Sequence, residues 1–122
     1  MELKLATPFD AHVHLRDGAA LETVVPHVAR DFGRALVMPN LRPPITTVEQ
    51  ALAYRSRIAA CQLPAQSCEW LMSLYLTDNT SVAEVEKVGA TDGVVAFKLY
   101  PAGATTNSDH GITDYAKIDA AL

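Results

Sequence analysis

The feature that most constrains this chain is an alternation between two hydrophobic periods. Short apolar or alternating runs fit strands, and each gives way to a longer stretch with apolar residues at helical spacing. Strands are expected at about residues 9–15, 34–38, 69–76 and 94–100. The first helix is expected over about 19–30, where Leu21, Val24, Val25 and Val28 share a face. Pro26 lies inside it and predicts a kink or an irregular first turn, and Gly33 predicts its stop. Thr46 or Thr47 caps a second helix over about 48–60; with Thr46 as cap, Glu49 completes a capping box. A short third helix runs from residues 79–81 to Val88, with Val82, Val85 and Val88 on one face. Residues 39–44 (PNLRPP) and 101–113 read as loops, and Asp114 is expected to open a last helix running to the end.

Four strand–helix repeats of roughly 30 residues match the length of a βαβ unit. Strict alternation implies a parallel sheet with helices outside. An open doubly wound sheet and a closed barrel both satisfy it. A complete barrel needs eight units and about 250 residues, and this chain has 122. The expected fold class is therefore α/β, the N-terminal half of a (β/α)8 TIM-type barrel formed by one partial domain over residues 1–122. Neither GxGxxG nor GxxxxGK[ST] is present, so a nucleotide-binding open sheet has no phosphate cradle.

Composition excludes several classes. With 49% hydrophobic and 20% charged residues, the chain can build a core. The net charge is −4, and the basic residues form no stripe for nucleic acid. The apolar runs fall far short of the ~20 residues that span a membrane. The N-terminus lacks the basic start and apolar middle of a signal peptide, so a cytoplasmic setting is expected. Cys61 and Cys68 are then free thiols.

His12 and His14 carry the strongest chemical signal. Side chains at i and i+2 of a strand point the same way, so two imidazoles can reach one ion. Asp10 shares their parity and is expected to orient an imidazole from behind. Lys98 is the second signal, in a strand otherwise apolar, with Val94 and Ala96 as its parity partners. Such a lysine snorkels, pairs or loses its charge. A neutral amine in a metal site can take up carbon dioxide, giving a two-oxygen anion that bridges metals. Arg16, Asn40 and Arg42 follow strands directly, where barrels place catalytic loops. The planar fork of Arg16 suits a carboxylate. Thr105, Thr106, Asn107 and Ser108 crowd one loop between Gly103 and Gly111, as a mobile lid or a plain solvated loop. His27 reads as surface, His110 as a weak candidate for contact with substrate, and Trp70 and Tyr75 as packing residues.

Together FDAHVHLRDG, VMPNLRPPITT and FKLYPAGATTNSDHGIT resemble the dihydroorotases, most closely the short bacterial type, across essentially the whole chain. The resemblance implies a barrel with two zinc ions. It implies that His12 and His14 bind the more buried ion and that Lys98 is carboxylated and bridges both. It implies that Arg16 and Asn40 grip the substrate carboxylate and that Thr105 and Thr106 belong to the lid. The implied reaction interconverts N-carbamoyl-L-aspartate and L-dihydroorotate in pyrimidine synthesis, on a small-molecule substrate with neither nucleic acid nor membrane as partner.

The family also uses two more histidine ligands and a catalytic aspartate, expected beyond residue 122. The chain alone is therefore expected to be inactive, with the C-terminal half of the barrel as its missing partner and a homodimer as the complete state. Two alternatives stay open. One is a catalytically silent homologue assembled with a transcarbamoylase; the other is a different cyclic amidase such as a hydantoinase. Arg16 and the KLYPAGATTNS loop argue against the second.

Overall fold

The computed structural model describes residues 2–121. Its elements are β1 (Phe9–Val13), α1 (Ala19–Asp31), β2 (Arg34–Val37), α2 (Val48–Ala60), β3 (Glu69–Tyr75), α3 (Val82–Ala90) and β4 (Val94–Lys98). The four strands are parallel and lie in the order β1-β2-β3-β4. Sequential order has no point where the winding reverses, so this is the barrel arrangement and not the doubly wound one.

Helix packing follows from the helical periods. Leu21, Val25 and Ala29 of α1 and Val48, Ala51, Tyr54 and Ile58 of α2 are buried against Ala35, Val37, Trp70, Met72, Leu74 and Val94 of the sheet. Removing one such side chain, as in Ile58→Ala, costs about 2–5 kcal/mol. The other sheet face has no helix over it among the described residues: His12 and His14 are exposed, and Leu36 and Leu71 are only half-buried. No helix of the described residues is long and apolar enough to cross a membrane.

Two irregularities decide which side chains reach that open face. On β1, three steps from Asp10 to Val13 match two steps on β2 from Ala35 to Val37. On β4, two steps from Val94 to Ala96 match one step on β3 from Met72 to Ser73. An extra residue in a strand breaks the alternation and re-aims the side chains beyond it. Val94 therefore lies on the helix side with Met72, whereas Lys98 pairs with Tyr75 on the opposite side. Strict parity, which put Val94 and Lys98 together and Asp10 beside His12, fails at both edge strands for this reason.

Local signals settle the helix ends. Thr47 caps α2: its hydroxyl accepts the Gln50 N–H at 3.3 Å, and Gln50 Oε1 accepts the Thr47 N–H at 3.2 Å. The box partner is Gln50, not Glu49. α1 continues through Pro26 and ends at Phe32 in an extended conformation. Gly33 is needed for a close approach, since a Cβ there would meet the Thr7 methyl at 2.8 Å. The expected last helix is instead two 3-10 turns, Tyr115–Lys117 and Asp119–Ala121. Ile118 between them is wholly buried against Leu76 and Ile112, which breaks the run.

Candidate active site

β1, β2 and β4 all end at one cleft of about 350 Å³, lined by His12, His14, Arg16, Asn40, Lys98, Tyr100, Thr105 and Thr106. It collects side chains from three strand ends and the loop after β4, which is how barrels assemble sites. The seven residues to which the resemblance gives a metal or substrate role line it together, whereas Arg42 and His110 do not.

The two imidazoles are arranged as a pair, with their Nε2 atoms 3.2 Å apart. Zinc–nitrogen bonds of about 2.0–2.1 Å at a tetrahedral angle would separate two ligand nitrogens by roughly 3.3 Å. Partial burial, then the nearby Arg16, His12 and Lys98, hold the His14 pKa below its usual value. A neutral imidazole keeps the lone pair a metal needs. Asp10 does not touch either ring; its carboxylate accepts the backbone N–H of His12 at 3.0 Å and so ties down the irregular turn of β1.

Lys98 is half-buried, its Nζ 5.3 Å from the centre of the Tyr100 ring, with no carboxylate paired to it among the described residues. Tyr100 in turn packs at 5.4 Å on Tyr75, the neighbour of Lys98 across β3 and β4. Sequence reasoning passed over Tyr100, although its place two residues after Lys98 is a usable signal. No group of three or more His, Cys, Asp or Glu side chains that could hold a metal ion is found among the described residues. The donor set is thus two imidazoles and an amine, which suits a cation only once the amine has lost its charge.

Arg16 is fixed through its backbone. It adopts φ 63°, a left-handed conformation uncommon outside glycine. The hydroxyl of the wholly buried Tyr54 on α2 donates to its carbonyl. One turn further along α2, Arg57 meets Asp17 with bonds of 3.1 and 2.8 Å. Both partners are over a third exposed, so that ion pair is worth about 0.2–1 kcal/mol at most. Its main effect is to hold the turn after β1. Neither Tyr54 nor Arg57 was singled out from the sequence, because both sit on an outer helix and act through backbone or a neighbour.

Asn40 is 4% exposed. Its Nδ2 donates to the Thr106 carbonyl at 3.4 Å, and its Oδ1 is buried with no partner. Thr105 and Thr106 stand exposed at the rim. Arg42 lies outside the cleft and donates to Asn107 Oδ1 at 2.6 Å. His110 is exposed away from the cleft, and His27 is exposed on α1. Cys61 and Cys68 are both free. A second cleft of about 430 Å³ lies between α2 and the loops after β1 and β2; it contains no imidazole.

Comparisons with known proteins identify the family. The Amidohydrolase family profile matches residues 4–121. A dihydroorotase of Aromatoleum aromaticum is 63% identical over 120 residues, covering 98% of this chain and 35% of that protein. The crystal structure of a dihydroorotase from Campylobacter jejuni superimposes with TM-score 0.84 at 37% identity, over 95% of this chain and 34% of that one. Saccharomyces cerevisiae dihydroorotase, solved in complex with 5-fluoroorotic acid, gives TM-score 0.83 at 34% identity, over 93% of this chain and 31% of that one. The chain therefore spans about a third of the length of the relatives it matches. With a family match over almost every residue and a sequential parallel sheet that gathers its polar residues at one end, this chain belongs to the amidohydrolase family.

Proposed function

We propose that this chain provides the first four strand–helix units of a dihydroorotase, which interconverts L-dihydroorotate and N-carbamoyl-L-aspartate in pyrimidine synthesis. The observation that carries this reading is the convergence of His12, His14, Lys98, Arg16 and Asn40 on one cleft. The 3.2 Å spacing of the imidazole nitrogens fits two ligands of a single zinc ion. Lys98 completes the half-site as a carbamate: its neutral Nζ forms a bond to the carbon of carbon dioxide and releases one proton, leaving an anion with two ligand oxygens. When bound, the two zinc ions supply Lewis acidity toward the scissile amide carbonyl and bring the ionisation of water near neutral pH.

The chain's own residues bind and orient. Arg16 offers a planar pair of donors to the ring carboxylate, and the tie from Tyr54 keeps that fork from wandering. Asn40 has a second Nδ2 hydrogen for the same carboxylate beside the one given to Thr106. Thr105 and Thr106 close the rim and limit water access. The remaining ligands and the catalytic aspartate belong to strands beyond residue 122 in this reading. A homodimer and a cytoplasmic setting complete it, in keeping with the free cysteines.

A silent homologue has no chemical need for paired imidazoles beside a lysine, and a hydantoinase has no substrate carboxylate for Arg16 to hold. The test is turnover by the complete zinc-loaded protein, followed in both directions, with hydantoin as the control substrate. Conversion of dihydroorotate with little or none of hydantoin is expected. Turnover of hydantoin alone, or of neither, would refute the proposal.

A further inference from the structure

The loop over residues 101–113 is better built than its composition implies. Pro101 and Ile112 form an isolated parallel bridge at its base. The buried Ser108 hydroxyl donates to the Thr105 carbonyl at 2.6 Å and accepts the Thr105 N–H at 2.8 Å. Gly103 donates to the Ser108 carbonyl at 3.0 Å. Those bonds shape the loop internally but do not fix it over the cleft.

Asn107 makes the outward attachment. It stands in the left-handed region at φ 58°, which Asn tolerates better than most side chains. Its Nδ2 donates to the Asn40 carbonyl at 3.2 Å, and its Oδ1 accepts from Arg42 Nε at 2.6 Å. Its own carbonyl accepts the Tyr75 hydroxyl at 3.3 Å. One residue thus bridges the loop after β4, the loop after β2 and strand β3. Asn40, which receives the Asn107 amide, also donates to Thr106, so the two loops hold each other through both asparagines.

We infer that Asn107 is the positioning residue that pins the Thr105–Thr106 segment against Asn40 at the cleft, setting where the threonines meet substrate without touching it itself. The inference rests on the proposed dihydroorotase reading and adds to it a residue that acts only through its neighbours.

Asn107→Gly separates the side chain from the backbone, because glycine adopts positive φ freely. The amide ties go and the turn remains. In the complete zinc-loaded protein, N107G is expected to lose roughly 10- to 100-fold in kcat/KM for dihydroorotate, the scale of misplacing a positioning group. Zinc content should equal the parent's, and amide exchange across residues 104–108 should quicken. Asn107→Asp keeps an acceptor for Arg42 and should recover part of the loss. Tyr75→Phe, which frees the Asn107 carbonyl alone, should quicken exchange less. Parental kcat/KM in N107G, or unchanged exchange, would overturn the inference. A parent protein with no turnover would sink the dihydroorotase reading, while faster exchange in N107G would still support the tie itself.

Discussion

The carboxylate of Asp10 accepts the backbone N–H of His12 at 3.0 Å, and that bond sits where β1 takes its extra residue. Without the irregularity, strand alternation would send the two imidazoles toward the helices. Removing the acceptor should loosen the pair. Asp10→Ala is expected to weaken zinc binding by roughly tenfold, the low end for a supporting group behind metal ligands. Asp10→Asn keeps an acceptor oxygen and should stay near the parent. Competition with a chromogenic chelator measures both. Equal weakening in the two variants would point to charge and not to the backbone bond.

Lys98 and Arg16 line the same cleft, and the proposed function gives them different partners. In the complete protein, Lys98→Ala should lose zinc and activity together. Arg16→Ala should keep its zinc and raise KM for dihydroorotate. Metal analysis beside steady-state kinetics separates these outcomes, and matched metal loss in both variants would reject the division of roles.

Tyr54 is wholly buried, and burial pushes its hydroxyl pKa well above the usual value, so it donates to Arg16 as a neutral phenol. Tyr54→Phe leaves the packing volume intact and removes one hydrogen bond. A stability loss of about 1 kcal/mol is expected by chemical denaturation. A raised KM should accompany it as Arg16 gains freedom. A stability change with unaltered KM would mean that the tie does not reach the guanidinium.

Asp78 predicts a pH dependence. Lys117 Nζ at 2.8 Å, with the hydroxyl and N–H of Thr113, pulls its pKa down from 3.8 to about 2. A carboxylate whose folded pKa is depressed stabilises the fold fully above its unfolded value. That contribution is lost as pH falls through the folded one. The link between the loop after β3 and the 113–117 turn should therefore weaken between about pH 4 and 2. Asp78→Asn should flatten the stability profile over that window and change little at neutral pH. An unaltered acid limb in D78N would contradict it.

A polypeptide of residues 1–122 alone should neither bind two zinc ions tightly nor turn over dihydroorotate. It offers two imidazoles and one lysine, and a carbamate needs the metals that stabilise it. β1 and β4 are both open sheet edges, and Val95 and Phe9 on them are 51% and 49% exposed. Unpaired edges invite pairing, so light scattering should find dimers or aggregates. A soluble, zinc-activated monomer would show that fewer ligands suffice.

The repeat pattern made the element order and the parallel sheet legible, because period 2 and period 3.6 alternate cleanly along the chain. The convergence of the candidate residues on one cleft was legible through motif. Their facing was not, since the extra residues in β1 and β4 are set by local hydrogen bonds such as Asp10 to His12, which no periodicity reports. Tyr54 and Arg57 escaped notice, and Asn107 stood only as one polar residue of its loop, because each works through a backbone group or a neighbouring side chain. The expected last helix is two short turns that flank Ile118, whose burial beside Leu76 and Ile112 the local pattern does not report.

In the proposed reading His12, His14 and Lys98 form half of a metal centre. Anomalous diffraction at the zinc edge, on crystals of the complete protein grown with zinc and bicarbonate, tests it most directly. One peak is expected within bonding distance of both Nε2 atoms, with a second nearby and added density on Lys98 Nζ joining the two. An unmodified Lys98 ammonium with no peak at the imidazole pair would contradict it.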